Sequence, residues 1–180
     1  MLTTWIFLAV LLFWAVGAYN RLIRLRSAAI QAFGGLDAHL MRMMAMLGEY
    51  EATQVPEPSP SDARAALWAA TTQFGASLAV ARARPLDAGA AAALSAAQQV
   101  LDTAWLAVAR EAADRQDAQG AGDDQNAMSA WSIRRDEHLA QNGTAQAQFN
   151  DAVAQYNGAI AQFPARLLAW LFGFKKARQL

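Results

Sequence analysis

The chain contains no cysteine, which excludes disulfides, thiolate metal sites and lipoprotein acylation. β-Branched residues are scarce and glycine is thin through the middle of the chain. Much of the 55% apolar content is alanine, as in the run Ala90 to Ala93, and alanine is a helix former more than a core filler. Together these features predict an all-α protein. No Gly-rich phosphate loop, nucleophile-elbow pattern or Gly-x-Gly-x-x-Gly occurs. Without such a constellation the expectation is a chain with no enzymatic activity, no catalytic residue and no cofactor.

What is present first is a long uncharged start. No charged side chain occurs before Arg21, and Leu2 to Tyr19 is almost wholly apolar. At about 1.5 Å per residue that segment covers roughly 27 Å, enough to cross the hydrocarbon layer. Trp5 and Tyr19 fall near its two ends, where amphipathic aromatics favour the interface. A buried core helix is one alternative, though such helices rarely stay uncharged and this apolar for so long; a cleaved signal peptide is the stronger one, since Val16, Gly17 and Ala18 have the small-residue pattern of a cleavage site. The basic flank argues for retention, because Arg21, Arg24 and Arg26 follow the apolar run and none precedes it. The positive-inside bias then puts the N-terminus outside and the body in the cytoplasm.

Net charge is zero but unevenly spread. Up to Gly48, four arginines face one acid; from Ile160 onward, four basic residues face none; the middle has seven basic and fourteen acidic residues. The sums are +3, +4 and −7. A nucleic-acid binder would carry its basic stripe on the folded body. Here the cations sit beside apolar segments, which suits a bilayer surface and not nucleic acid.

Apolar spacing predicts four helices in the body. Leu22, Leu25, Ala29, Phe33, Leu36, Leu40, Met43, Leu47 and Tyr50 step by three or four, so the membrane helix is expected to continue to about Thr53, interrupted at most near Gly34 and Gly35. That gives the soluble part a length of roughly 50 Å. Pro56, Pro58 and Pro60 end it. Ser61 or Asp62 can cap a second helix, with a seam of Leu67, Thr71, Phe74, Leu78 and Ala81 and a stop at Arg84-Pro85. Asp87 can cap a third, with Leu94, Ala97, Leu101, Trp105 or Ala104, Val108 and Ala112 as its seam, decaying into the loop from Gln119 to Asp124. The fourth starts near Asp124 to Asn126 and carries the stripe Phe149, Val153, Tyr156, Ile160 and Phe163. Gly143 is a weak point inside it, and Pro164 ends it or opens a separate short helix.

Short connections make sequential helices antiparallel neighbours. The expected architecture is therefore a transmembrane anchor over residues 1–19, an elongated antiparallel four-helix bundle over 20–163, and an apolar, basic C-terminal segment over 164–180. Leu167 to Phe174 would return to the bilayer, too short to span it, with Lys175, Lys176 and Arg178 following. The membrane-interface set is Arg21, Arg24, Arg26, Trp170, Phe172, Phe174, Lys175 and Lys176. The alternative is that this segment caps the open end of the bundle as core.

Two blocks resemble the LemA family of bacterial membrane proteins. The first runs from Tyr19-Asn20 through Arg26, then Phe33 and Leu36-Asp37-Ala38-His39-Leu40. The second runs from Phe149-Asn150 through Tyr156-Asn157 to Phe163-Pro164, then Leu168 to Lys175. They cover about a third of the chain, at both ends and in the right order. The middle departs: this chain has Ala45 to Tyr50 where the family tends to have an Asp-Leu-Ile-Pro-Asn-Leu run, and it keeps only Arg42 of the usual basic triplet. The resemblance implies a single N-terminal transmembrane helix, a short outer N-terminus and a helical body in the bacterial cytoplasmic membrane. It implies no activity.

Polar residues offer few sites. His39 and His138 are two ligands where a metal needs three or four, and the acidic stretch Asp117 to Asp124 lacks the alternation of a calcium loop. Asn20 and Asn157 each follow a tyrosine. One expectation is a structural polar belt in which Tyr19 and Asn20 meet Tyr156 and Asn157, with Asn150 two turns further on; the other is simple exposure. Met41, Met43, Met44 and Met46 are either core or an adaptable partner patch. The overall expectation is a membrane-anchored scaffold or adaptor. Its partners would be the lipid bilayer, another membrane or cytoplasmic protein, and a second copy of itself. The alternative is a membrane-surface sensor or remodeller acting through the C-terminal segment.

Overall fold

The computed structural model of the chain describes residues 2–54, 61–119, 122–163 and 165–180. Within them lie five helices and no strand: α1 Leu2–Thr53, α2 Asp62–Ala83, α3 Ala88–Gln119, α4 Gly122–Ala161 and α5 Ala165–Phe172. The proline stop at Pro56 to Pro60, Gly120-Ala121 after α3, and Pro164 lie outside the described residues, as do the side chains of the acidic stretch from Asp117 to Asp124.

Helix α1 has 52 residues, about 78 Å of continuous helix. It passes through Gly34 and Gly35 without interruption, against the break allowed for there. The flanking Phe33 and Leu36 are both buried, and tertiary packing of that face outweighs the weak propensity of two glycines. Capping follows the sequence at two starts. The Ser61 hydroxyl accepts from the Arg64 amide at 3.4 Å, and the Asp87 carboxylate accepts from the Ala90 amide at 2.8 Å. Helix α4 begins two residues earlier than expected and runs unbroken through Gly143.

The apolar seams form one core. Leu22, Phe33, Leu40 and Tyr50 of α1, Leu67 and Phe74 of α2, Leu94 and Trp105 of α3, and Phe149 and Val153 of α4 are all buried in it. Leu25 is only half-buried. Helix α1 packs mainly on α4, and α2 mainly on α3. The partners run in opposite directions: Phe33 meets Phe149 at 5.6 Å, Asn142 donates to Met43 Sδ at 3.4 Å, and Tyr50 meets Trp131 at 5.7 Å. The Asp37–Arg82 ion pair, 2.8 Å, ties α1 to α2.

The end of the body farthest from the apolar start of α1 is held by aromatics and charge. Trp105 lies 5.2 Å from Tyr50, and the buried Arg135 guanidinium sits 5.5 Å over the Trp105 ring while pairing with Asp102. Burial raises the Asp102 carboxyl above its ordinary value against the opposing pull of Arg135. Arg134 bonds Glu49 at 2.7 Å and covers Trp131.

Two expectations need correction here. Phe163 does not continue the α4 stripe: the helix stops at Ala161, and Phe163 is 72% exposed, its ring 5.7 Å from Trp14. The four methionines are not one patch, because Met43 and Met46 are core while Met41 is exposed and Met44 half-buried. The 3.6-residue period sends 43 and 46 inward and 41 to the other side.

Candidate membrane-interface site

One end of the body brings the apolar start of α1, helix α5 and the basic residues together. Only 6% of the most apolar 18-residue stretch of α1 is buried inside the chain. Its side chains, Trp5, Phe7, Leu12 and Phe13 among them, point outward on every side. That is the pattern of a helix long and apolar enough to cross a membrane.

Helix α5 has two faces. Ala165 and Ala169, four residues apart, are buried against the body, small enough to let the helix lie close. Leu167, Trp170, Leu171 and Phe172 are exposed, Trp170 at 83%. Gly173 ends the helix at φ 69°, and the Phe174 amide donates back to the Ala169 carbonyl at 2.9 Å. This Schellman closure turns the chain so that Phe174 folds inward against the core. Tyr19 receives both aromatics, with Phe172 at 5.0 Å and Phe174 at 6.1 Å. The C-terminal segment therefore closes the core in part, as one of the two readings of the sequence had it. Its alanines and Phe174 close the core, and its large apolar side chains remain outside.

The basic residues surround this end. Arg21, Arg24, Arg26, Lys175 and Lys176 are all exposed. Arg21 donates to Gln162 Oε1 at 3.4 Å, and Arg26 and Lys175 line one groove. Arg84, read from sequence only as a helix stop before Pro85, lines the same groove. No periodicity marks it, because the α2–α3 turn reaches this end only through the return of α2.

The polar residues make different bonds from those expected. Asn20 is exposed. Asn157 pairs with the backbone of Ala177 in both directions, 2.8 and 2.9 Å, and Asn150 pairs likewise with Leu180, 2.9 Å each. The Tyr156 hydroxyl donates to the Lys175 carbonyl at 3.2 Å. Burial raises the Tyr156 phenol above 10, with Arg26 pulling the other way. The three α4 residues thus bind the tail, not α1; Tyr19 joins the same end through its ring and not through a hydrogen bond to α4. Unpaired tail backbone is the stronger claimant for a side-chain amide, since each amide can satisfy one N–H and one C=O together.

His39 contacts Arg42 at 3.2 Å, and no group of three metal-ligating side chains occurs among the described residues. No protein-family model, curated protein or solved structure matches the chain. The resemblance to the LemA family rests on the two end blocks alone.

Proposed function

We propose that the chain is a membrane-anchored helical scaffold without enzymatic activity, LemA-like in plan. The first third of α1 crosses the bilayer, and the rest of the chain forms an elongated antiparallel four-helix bundle on the cytoplasmic side of a bacterial inner membrane, N-terminus out. Helix α5 makes a second contact with the same leaflet. The observation that carries this is the outward apolar face of α5 lying beside the uncovered apolar start of α1. Arg21, Arg24, Arg26, Lys175 and Lys176 then sit at the anionic cytoplasmic surface, where each cation is favourable. The rigid body would hold a membrane or cytoplasmic protein, or another copy of the chain, at a fixed distance from the lipid.

The absence of cysteine makes the test direct. Single-cysteine variants at Leu167, Trp170 and Leu171 of the full chain, spin-labelled in vesicles, should be more accessible to oxygen than to a water-soluble relaxant. Water-soluble access at all of them removes the second contact. Glu137→Cys should react with an impermeant maleimide in inverted but not right-side-out membranes; the reverse pattern overturns the orientation.

The amphipathic form of α5, Leu167, Trp170 and Leu171 outside with Lys175 and Lys176 following, also supports a membrane-surface sensor or remodeller. That function changes vesicle shape, or binding with vesicle size, and a scaffold changes neither.

A further inference from the structure

We propose that the groove between α1, the α2–α3 turn and the α5–tail junction binds the headgroup of an anionic phospholipid. It measures about 430 Å³. Three segments far apart in sequence supply one cation each, Arg26, Arg84 and Lys175. None makes an ion pair among the described residues, whereas Arg82, Arg115, Arg134 and Arg135 all do. Asp87, the one acid in the lining, already accepts from the Ala90 amide. Among the described residues Asp87 makes no ion pair with any of the three, so three cations against one carboxylate leave the groove a surplus of two positive charges.

Its position selects a lipid over a free anion. Phe172 and Phe174 form one wall and pack on Tyr19, the last residue of the apolar run. Arg26 lies seven residues beyond Tyr19, roughly 10 Å along the helix. The headgroup layer extends roughly 5–8 Å past the hydrocarbon, within reach of long basic side chains. The exposed face of α5 supplies apolar surface for acyl chains, which inorganic phosphate would leave unused. A phosphodiester between several cations is the arrangement that charge-assisted hydrogen bonding favours.

This inference rests on the proposed membrane placement of α5. The test uses the full chain in nanodiscs of phosphatidylcholine containing phosphatidylglycerol, with lipids co-released with the protein counted by native mass spectrometry. The wild type should retain phosphatidylglycerol selectively. Arg84→Gln and Lys175→Gln should each lower retention about fivefold, the scale of one cation at a charged surface, and the pair about 25-fold. Neither side chain holds the fold: Arg84 is exposed, and Lys175 contacts Tyr156 through its carbonyl. Arg24→Gln, outside the groove, should keep retention. An equal loss from Arg24→Gln, or none from the groove variants, overturns the site in favour of diffuse surface charge. Inorganic phosphate alone, titrated into phosphatidylcholine discs, should leave the melting temperature unchanged; an Arg84-dependent rise overturns the lipid assignment. Failure of selective retention while spin labels on α5 still report lipid removes the groove inference alone. Labels reporting water remove the membrane placement itself.

Discussion

Asn157 holds Ala177 by two hydrogen bonds: its Nδ2 donates to the Ala177 carbonyl at 2.8 Å, and the Ala177 amide donates to its Oδ1 at 2.9 Å. Asn150 repeats the arrangement on Leu180. Seven helical residues rise about 10.5 Å, and three extended residues span about 10 Å, so the two amides and their two backbone targets are in step. The tail runs back along α4, away from the apolar start of α1. Lys175 and Lys176 are left at that end because the chain beyond them is fastened.

Asn157→Ala should detach the tail locally and leave the helices folded. Losing two bonds at about 0.5–1.5 kcal/mol net each raises the opened population of the tail roughly 5- to 150-fold. Hydrogen exchange read by mass spectrometry should show faster exchange at residues 176–180 and unchanged exchange in α4. Unchanged tail protection would mean that the Asn157 pair contributes nothing.

Two glycines should respond oppositely to alanine. At Gly173, φ 69° is a conformation that a Cβ opposes by about 1–2 kcal/mol, so Gly173→Ala should loosen the α5 closure and expose Phe174. At Gly143, in mid-helix, an added Cβ meets nothing within 4 Å. Gly143→Ala should stabilise by about 0.5–1 kcal/mol. Thermal melting of the two variants in one detergent tests the contrast, and a stabilised Gly173→Ala would contradict it.

Alkaline behaviour should depend on Tyr156. Its folded value is raised above 10 by burial, so the folded state keeps the proton longer than the unfolded state. The stability contributed by the neutral phenol is complete below pH 10 and is lost as pH rises through the raised folded value. Tyr156→Phe should remove one late step from the phenolate absorbance titration and flatten the stability profile above pH 10. It should also cost about 1 kcal/mol at neutral pH for the bond to Lys175. Loss of a step at pH 10, and not of a later one, would show that Tyr156 ionises as an open phenol.

At the far end, Asp102→Ala should leave the Arg135 guanidinium buried without its carboxylate. Breaking a fully buried pair costs about 3–5 kcal/mol, and the 39% exposure of the Asp102 side chain reduces this to roughly 2 kcal/mol. Adding Arg135→Met should recover much of the loss, since the uncompensated charge goes with it. Denaturant unfolding followed by Trp fluorescence measures both, and an additive double variant would refute the coupling.

How far the sequence could be read follows from the range of each interaction. Leu22, Phe33, Leu40 and Tyr50 repeat with the helical period, and Ser61 and Asp87 cap within three residues, so seams and starts were visible in neighbouring letters. Phe163 carried the same period and failed, because α4 stops at Ala161 and the ring turns to Trp14. Asn150 and Asn157 stood out by type and spacing, while their partners 30 and 20 residues away did not.

The sequence by itself determined the helical class, the uncharged apolar start of α1 and the division of charge between ends and body, because propensity, apolar length and net charge are sums over neighbouring residues. Only the tertiary structure decided that α5 divides into an inward alanine face and an outward aromatic one, and that the asparagines hold the tail. It alone brought Arg84 to Arg26 and Lys175. Those outcomes depend on which surfaces meet when α2 and α4 return along α1, and a hydrogen bond or a groove between distant segments has no local period to betray it.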